Sequence, residues 1–233
     1  MAKLILFPVP IGADSPDNSI PPYNREMLNS CRTFIVENIR TARRHLKMMG
    51  YTIPIDEVTF LELNQHTSPL DIDHYLDPIA QGENIGLMSE AGVPCVADPG
   101  NLITAMAQRN GIEILPLVGP SSIILALMAS GFNGQNFAFN GYPPIDDKGR
   151  ASLIRTIEQR IHRDHQTQIF IEAPYRNDKL LHYLAYHLQP VTRICVACDL
   201  TLPTQFVRTR LARQWLTNPP QLNKRPTIFL LYK

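Results

Sequence analysis

Apolar positions in this chain fall into short runs separated by stretches of helical spacing, and the alternation is regular through the first half. Leu4 to Val9, Phe34 to Val36, Val58 to Leu63, Asn84 to Met88 and Ile112 to Val118 are runs of strand length. Arg40 to Met49, Pro69 to Ala80 and Asn101 to Gln108 read as helices between them; in the second, Leu70, Ile72, Leu76 and Ile79 form the apolar set. Strand, helix and strand in repetition predict a parallel sheet with helical crossovers, closing a first domain at residue 118. The rest, residues 119–233, opens with Ile123 to Ser130, apolar on every side, which predicts a buried helix lying between domains or inside the second. Strands are expected at Phe137 to Tyr142, Gln168 to Glu172, Thr192 to Ala197 and Pro226 to Tyr232, with a possible edge strand at Gln205 to Arg208. Helices are expected at Ala151 to Arg163, after Asn177 as its cap with Leu180, Leu184 and Leu188 on a core face, and briefly at Leu211 to Leu216. The fold class is α/β.

One stretch stands out from this pattern. Met88-Ser89-Glu90-Ala91-Gly92-Val93-Pro94-Cys95-Val96-Ala97-Asp98-Pro99-Gly100 follows a strand and leads into a helix, so it occupies the carboxyl edge of the sheet, where open α/β folds bind ligands. Its carboxylates, glycines and prolines suit a small polar molecule held against exposed backbone; an ordinary connection rich in turn residues is the alternative. Ser121 and Ser122 present hydroxyls and free N–H groups at a helix start, which capping alone would also explain. Arg40, Arg43, Arg44 and Lys47 gather on one helical face, either a solvated surface or a contact for phosphate. Ile145 to Arg150 is a charged stretch suited to be a lid, and His182 and His187, five apart, read as surface residues.

Composition narrows the function classes. The chain has 233 residues, 44% of them hydrophobic, and a formal net charge of +1, so any nucleic-acid contact must come from a local patch. No apolar stretch reaches the length of a membrane span and Pro8 breaks the start too early for a signal peptide, so a soluble, cytoplasmic protein is the expectation. Cys31, Cys95, Cys195 and Cys198 are no disulfide framework, and Cys195 and Cys198 should point to opposite faces of one strand, so no metal is expected. Gly-x-Gly-x-x-Gly, Walker and His-Glu-x-x-His patterns are absent.

The central stretch resembles the Ser-Asp-Ala-Gly-Thr-Pro-x-x-x-Asp-Pro-Gly signature of the ribosomal RNA small subunit methyltransferase I family, within the class III, tetrapyrrole-methylase-like enzymes that use S-adenosylmethionine (SAM). Glu90 stands for the family's Asp and Val93 for its Thr. Further boxes follow in the same order: Pro8 to Gly12, Glu37 with Arg40, His66, Gly119 to Ser122 with Ala129 to Gly131, Gly141 to Pro144, Glu172 with Pro174 and Arg176, and Asp199 to Leu202. Asn38, Asn64, Thr67 and Leu202 depart from the family's residues, and longer members carry a further C-terminal segment.

The resemblance implies two α/β domains, the first sheet mainly parallel and the second mixed, with SAM bent into a cleft between them. It implies that Pro10, Met88, Ser89, Glu90, Ala91, Val93, Ser121, Ser122, Glu172, Ala197 and Thr227 hold the cofactor. For a ribose hydroxyl, a proton must also leave, and Glu62, His66 and Glu37 are the candidate acceptors, with Arg40 orienting the substrate. Arg43, Arg44, Lys47 and Arg176 are the candidate substrate contacts. The implied activity is 2′-O-methylation of a cytidine of small-subunit ribosomal RNA by a homodimer. A different RNA, a tetrapyrrole-like molecule, or SAM and RNA binding without catalysis are the alternatives.

Overall fold

In a computed structural model of the chain, which describes residues 1–12, 16–64 and 66–233, two compact units divide it at Ser121 and Ser122. The first is built on a five-stranded sheet: β1 (Leu4–Phe7), β2 (Cys31–Val36), β3 (Thr59–Glu62), β4 (Asn84–Met88) and β5 (Ile114–Pro116), in the order β3-β2-β4-β1-β5 and parallel throughout. Helices α1 (Pro22–Leu28) and α2 (Ile39–Met48) cover one face, packing Leu28, Ala42 and Leu46 against Phe7, Phe34 and Met88. The other face takes α3 (Pro69–Ile72), α4 (Asp77–Ala80) and α5 (Asn101–Arg109), where Leu76, Ile103 and Ala107 meet Leu4, Ile35 and Ile85. The connections leaving β1 and β4, which are neighbours, run to opposite faces, so their carboxyl ends form the topological switch point of the sheet.

The second unit holds β6 (Phe137–Phe139), β7 (Thr167–Ile171), β8 (Arg193–Cys198), β9 (Phe206–Leu211) and β10 (Thr227–Tyr232), in the order β6-β7-β10-β8-β9. Only β6 and β7 pair in parallel, so the sheet is mixed. Helix α6 (Ser122–Ser130) packs on one face; α7 (Asp147–Arg163) and α8 (Asn177–His187) pack on the other, around Phe170, Val196, Phe229 and Trp215. Cys195 and Cys198 lie in the two different core layers, on opposite faces of β8 as their spacing requires. Among the described residues no helix is long and apolar enough to cross a membrane.

Several elements differ from the expectation. The helix expected over Pro69 to Ala80 is two short helices, because Pro78, in the first turn of the second, lacks the N–H to continue the ladder from the first. Leu70, expected on the apolar side, is exposed in consequence. Helix α6 is not buried all round: Ile123, Ala126 and Leu127 face the core, while Ile124 and Met128 are exposed. The supposed lid at Ile145 to Arg150 is the start of α7. Asp146 caps it, accepting from the Gly149 N–H at 2.7 Å, and Arg150 Nε donates to the Pro144 carbonyl at 2.8 Å. Asn177 is not a cap either, since its amide donates inward to the Arg225 carbonyl at 2.7 Å.

Candidate active site

The loop after β4 is bound to the loop after β1. Val9 N–H donates to the Gly92 carbonyl at 2.9 Å and Gly92 N–H returns to the Val9 carbonyl at 3.1 Å, while Ser89 Oγ donates to the same Gly92 oxygen at 3.1 Å. Gly92 has φ +73°, and a Cβ there would sit 3.2 Å from the Pro120 carbonyl, so the loop after β5 closes on the same point. Pro10, Met88 and Ser89 are buried, Ser121 is half-buried, and Glu90 and Ala91 are exposed. Three loops distant in sequence therefore meet at the switch point with their backbones in contact.

His45, which lies in none of the sequence motifs, fixes this arrangement. It lies on the core face of α2 with Ala42, Leu46 and Met49, four positions whose spacing marks that face, and it is 5% exposed. Its Nε2 is 3.0 Å from the Glu90 carbonyl, so that nitrogen carries the hydrogen and donates. Burial lowers the affinity of the imidazole for a second proton, against the pull of the Glu90 hydrogen bond. The fold thus holds His45 neutral, whereas the unfolded chain protonates it near pH 6.5. Below that pH the unfolded state binds more protons, and stability is lost as pH falls. We expect the thermal midpoint to drop more between about pH 7.5 and 5.5 in the wild type than in His45→Gln, which keeps a donor and does not titrate; parallel profiles would contradict this.

The remainder of the signature is a tight turn around Asp98, whose Oδ1 accepts from the N–H groups of Cys95 at 3.2 Å and Gly100 at 2.7 Å. Cys95 and Ala97 adopt left-handed backbone, at φ 68° and 59°, which those bonds stabilise. Burial raises the Asp98 carboxyl, and the two N–H groups oppose it. Glu37, exposed just past the end of β2, has its carboxyl raised by partial desolvation first and then by Asp98 and Glu90. A cavity of about 10 Å³ lies between Glu37, Met88, Asp98 and Pro99, enough for about one water. Of Glu37, Glu62 and His66, Glu37 is the one whose surroundings include the Asp98 and Glu90 carboxylates of the signature loop.

Glu62 and His66 stand further out, because β3 is the edge strand and β2 lies between it and β4. Both are exposed, as Glu37 also is; the Glu62 carbonyl accepts from Thr67 Oγ1 at 3.0 Å and from the Tyr75 hydroxyl, and Asn64 Oδ1 accepts from the His66 N–H at 2.9 Å. Gln65, in the same loop, lies outside the described residues. Arg40, Arg43, Arg44 and Lys47 are all exposed on α2, and Arg43 stacks over Phe60 at 5.5 Å. Among the described residues none of the four has a carboxylate within ion-pair distance, so the face is an unneutralised basic patch.

In the second unit β7 and β8 end where β10 begins, which places Glu172, Ala197 and Thr227 at one edge of that sheet. Ala197 and Thr227 are buried, Thr227 Oγ1 donating to the Arg225 carbonyl at 3.0 Å, and Ser122 is half-buried at the start of α6. The Glu172 side chain has no exposed area. Its Oε1 accepts from the Ala173 N–H at 2.7 Å and from Arg176 Nε and Nη2 at 2.9 and 2.6 Å, while its Oε2 is buried without a partner. A buried carboxylate oxygen left unbonded is costly, and it marks a position where a ligand donor would be satisfied. Arg176 is committed to Glu172 and stacks over Tyr175 at 5.4 Å, so it orients that carboxylate rather than reaching outward. Among the described residues no three His, Cys, Asp or Glu side chains are placed to hold a metal.

No family model matches the chain. Curated relatives do. The chain is similar to proteins named ribosomal RNA small subunit methyltransferase I. It is 29% identical over 182 residues to the one from Xylella fastidiosa (strain Temecula1), covering 78% of this chain and 63% of the relative. With that of Escherichia coli O157:H7 it shares 29% over 176 residues, 75% of this chain and 57% of the relative. The match to the Buchnera aphidicola subsp. Schizaphis graminum protein is weaker, 24% identical over 231 residues, but covers 98% of this chain and 77% of the relative. The chain thus spans less than two thirds of the length of the Xylella and Escherichia relatives. Its fold matches the crystal structure of the methyltransferase CobJ, with a TM-score of 0.64, 14% identity and full coverage of both chains.

Proposed function

We propose that this chain is a SAM-dependent methyltransferase that methylates a ribose 2′-hydroxyl, that of a cytidine, in small-subunit ribosomal RNA. The observation that carries the reading is the shared name of the relatives that match 75% to 98% of the chain. SAM, when bound, supplies an electrophilic methyl group on a sulfonium, and carboxylates and carbonyl dipoles favour such a cation. In the first unit Pro10, Met88, Ser89, Glu90, Ala91, Val93 and Ser121 are the residues proposed to hold it; in the second they are Ser122, Glu172, Ala197 and Thr227. The partnerless Glu172 Oε2 supports a donor on that ligand.

The transfer is an in-line displacement, so the protein's task is to place the hydroxyl and take its proton. Glu37, with its raised pKa, suits a proton acceptor; Glu62 and His66 are the further candidates, and Arg40 would orient the ribose. Arg43, Arg44 and Lys47 form the patch for phosphate, and Arg176 acts through Glu172. The working form is read as a cytoplasmic homodimer.

Calorimetric titration with SAM, followed by labelled-methyl transfer to small ribosomal subunits lacking the modification, tests the reading. Saturable SAM binding and transfer, with 2′-O-methylcytidine found after nuclease digestion, is the expected result. SAM binding with no transfer favours a sensor, and transfer only to a porphyrinoid favours a tetrapyrrole methylase. In the same assays Arg43→Glu combined with Arg44→Glu should weaken RNA binding about tenfold or more and flatten its salt dependence, with SAM affinity unchanged.

A further inference from the structure

The face of α8 turned away from its core carries Lys179, His182, Tyr183, Tyr186 and His187, spaced as one helical stripe, while Leu180, Leu181, Leu184, Ala185 and Leu188 form the buried stripe. With Arg150 from α7 and with Asp178, the outer stripe lines an open cavity of about 460 Å³. Its groups are ordered. The Arg150 guanidinium lies over the Tyr183 ring, 5.3 Å from the centroid, and its Nε is held by the Pro144 carbonyl. His187 packs against Tyr183 at 4.2 Å and Tyr186 at 5.0 Å between centroids, and Tyr186 remains 67% exposed. The one carboxylate in the lining, Asp178, accepts from the Leu222 N–H at 2.8 Å. Among the described residues neither Arg150 nor Lys179 has an ion-pair partner.

An ordinary solvated face would mix lysines with glutamates. Here exposed aromatic rings sit beside unneutralised cations, and that combination recognises a chain bearing both flat bases and phosphates. A folded protein partner would bury the rings equally well but would leave the cations unmatched unless it were acidic. We propose that this cavity is a subsite for a single-stranded segment of RNA, with a base stacked on Tyr186 and the backbone phosphates met by Lys179 and Arg150. The assignment rests on the reading that the substrate is RNA and adds to it a contact on α8 that neither the signature loops nor the α2 patch supplies.

The test is binding of a fluorescein-labelled ten-nucleotide oligouridylate, followed by anisotropy across salt concentrations, with SAM titration run on the same samples. Tyr186→Ala should weaken binding about tenfold, Tyr186→Phe should retain it, and Lys179→Ala should lower the slope of log affinity against log salt by roughly 0.7, the release expected for one phosphate contact on a single strand. SAM affinity should be unchanged in all three. No binding by the wild type, or equal binding by wild type and both alanine variants, overturns the subsite. Unchanged affinity combined with conversion of a dimer to a monomer by Tyr186→Ala, read by sedimentation, overturns it in favour of a protein interface. A wild type that binds the oligonucleotide through these residues but neither binds SAM nor transfers methyl fails the enzyme reading and leaves the subsite standing.

Discussion

Gly119→Ala is expected to lower the proposed methyl transfer about a hundredfold while the protein stays folded. A Cβ at Gly119 would stand 2.2 Å from Pro8 Cβ and 2.7 Å from its Cγ, far inside contact distance. The Pro8 ring is buried just past β1 and cannot rotate away, so the segment from Gly119 to Ser121 must shift. That shift cannot stay local, because the neighbouring Pro120 carbonyl packs on Gly92, and Gly92 is bonded in both directions to Val9. Overpacking of this kind costs about 1–3 kcal/mol, which a folded domain survives, but a displacement of about 1 Å at the reacting groups suffices for a hundredfold loss. Labelled-methyl transfer beside thermal unfolding separates the two effects. A variant with a normal rate would show that these loops do not place the reacting groups.

Trp215→Ala should cost about 3–5 kcal/mol of stability in the second unit. Trp215 is 1% exposed, packs edge-on against Phe206 at 6.4 Å, carries the Arg210 guanidinium on its face at 5.0 Å, and donates from its indole N–H to the Ile194 carbonyl at 3.1 Å. Its removal opens a cavity in the layer between the mixed sheet and α8, and the rigid strands on one side leave little to collapse into the space. Denaturant unfolding followed by circular dichroism measures the loss. Trp215 is the chain's single tryptophan, so its fluorescence in the wild type reports the unfolding of this core, and a variant within about 1 kcal/mol of wild type would contradict the prediction.

The strands and most of the helices, α1 not among them, were readable from the chain alone, because burial on both faces makes parallel strands continuous apolar runs. So was the place of the signature: a turn-rich stretch after the strand Asn84 to Met88 has to emerge at the carboxyl edge of a parallel sheet. Errors arose where a local rule met a competing one. Helical spacing from Pro69 to Ala80 was overridden by Pro78, and the apolar composition of α6 said nothing about which of its sides would be covered. Charge at Asp146 to Arg150 suggested a mobile loop, yet the same residues form a helix cap.

Periodicity by itself determined the class of fold and most of its elements, and the boxes in which chemistry-bearing residues occur came from the family resemblance. Tertiary structure alone decided which of them act together: that His45 holds the Glu90 carbonyl, that Glu37 rather than Glu62 or His66 lies beside Asp98 and Glu90, and that Arg176 is spent on a buried Glu172. The physical reason is that hydrophobic pattern is a property of near neighbours along the chain, whereas hydrogen-bond partners and the burial that shifts a pKa are set by strand order, which places residues tens of positions apart in contact.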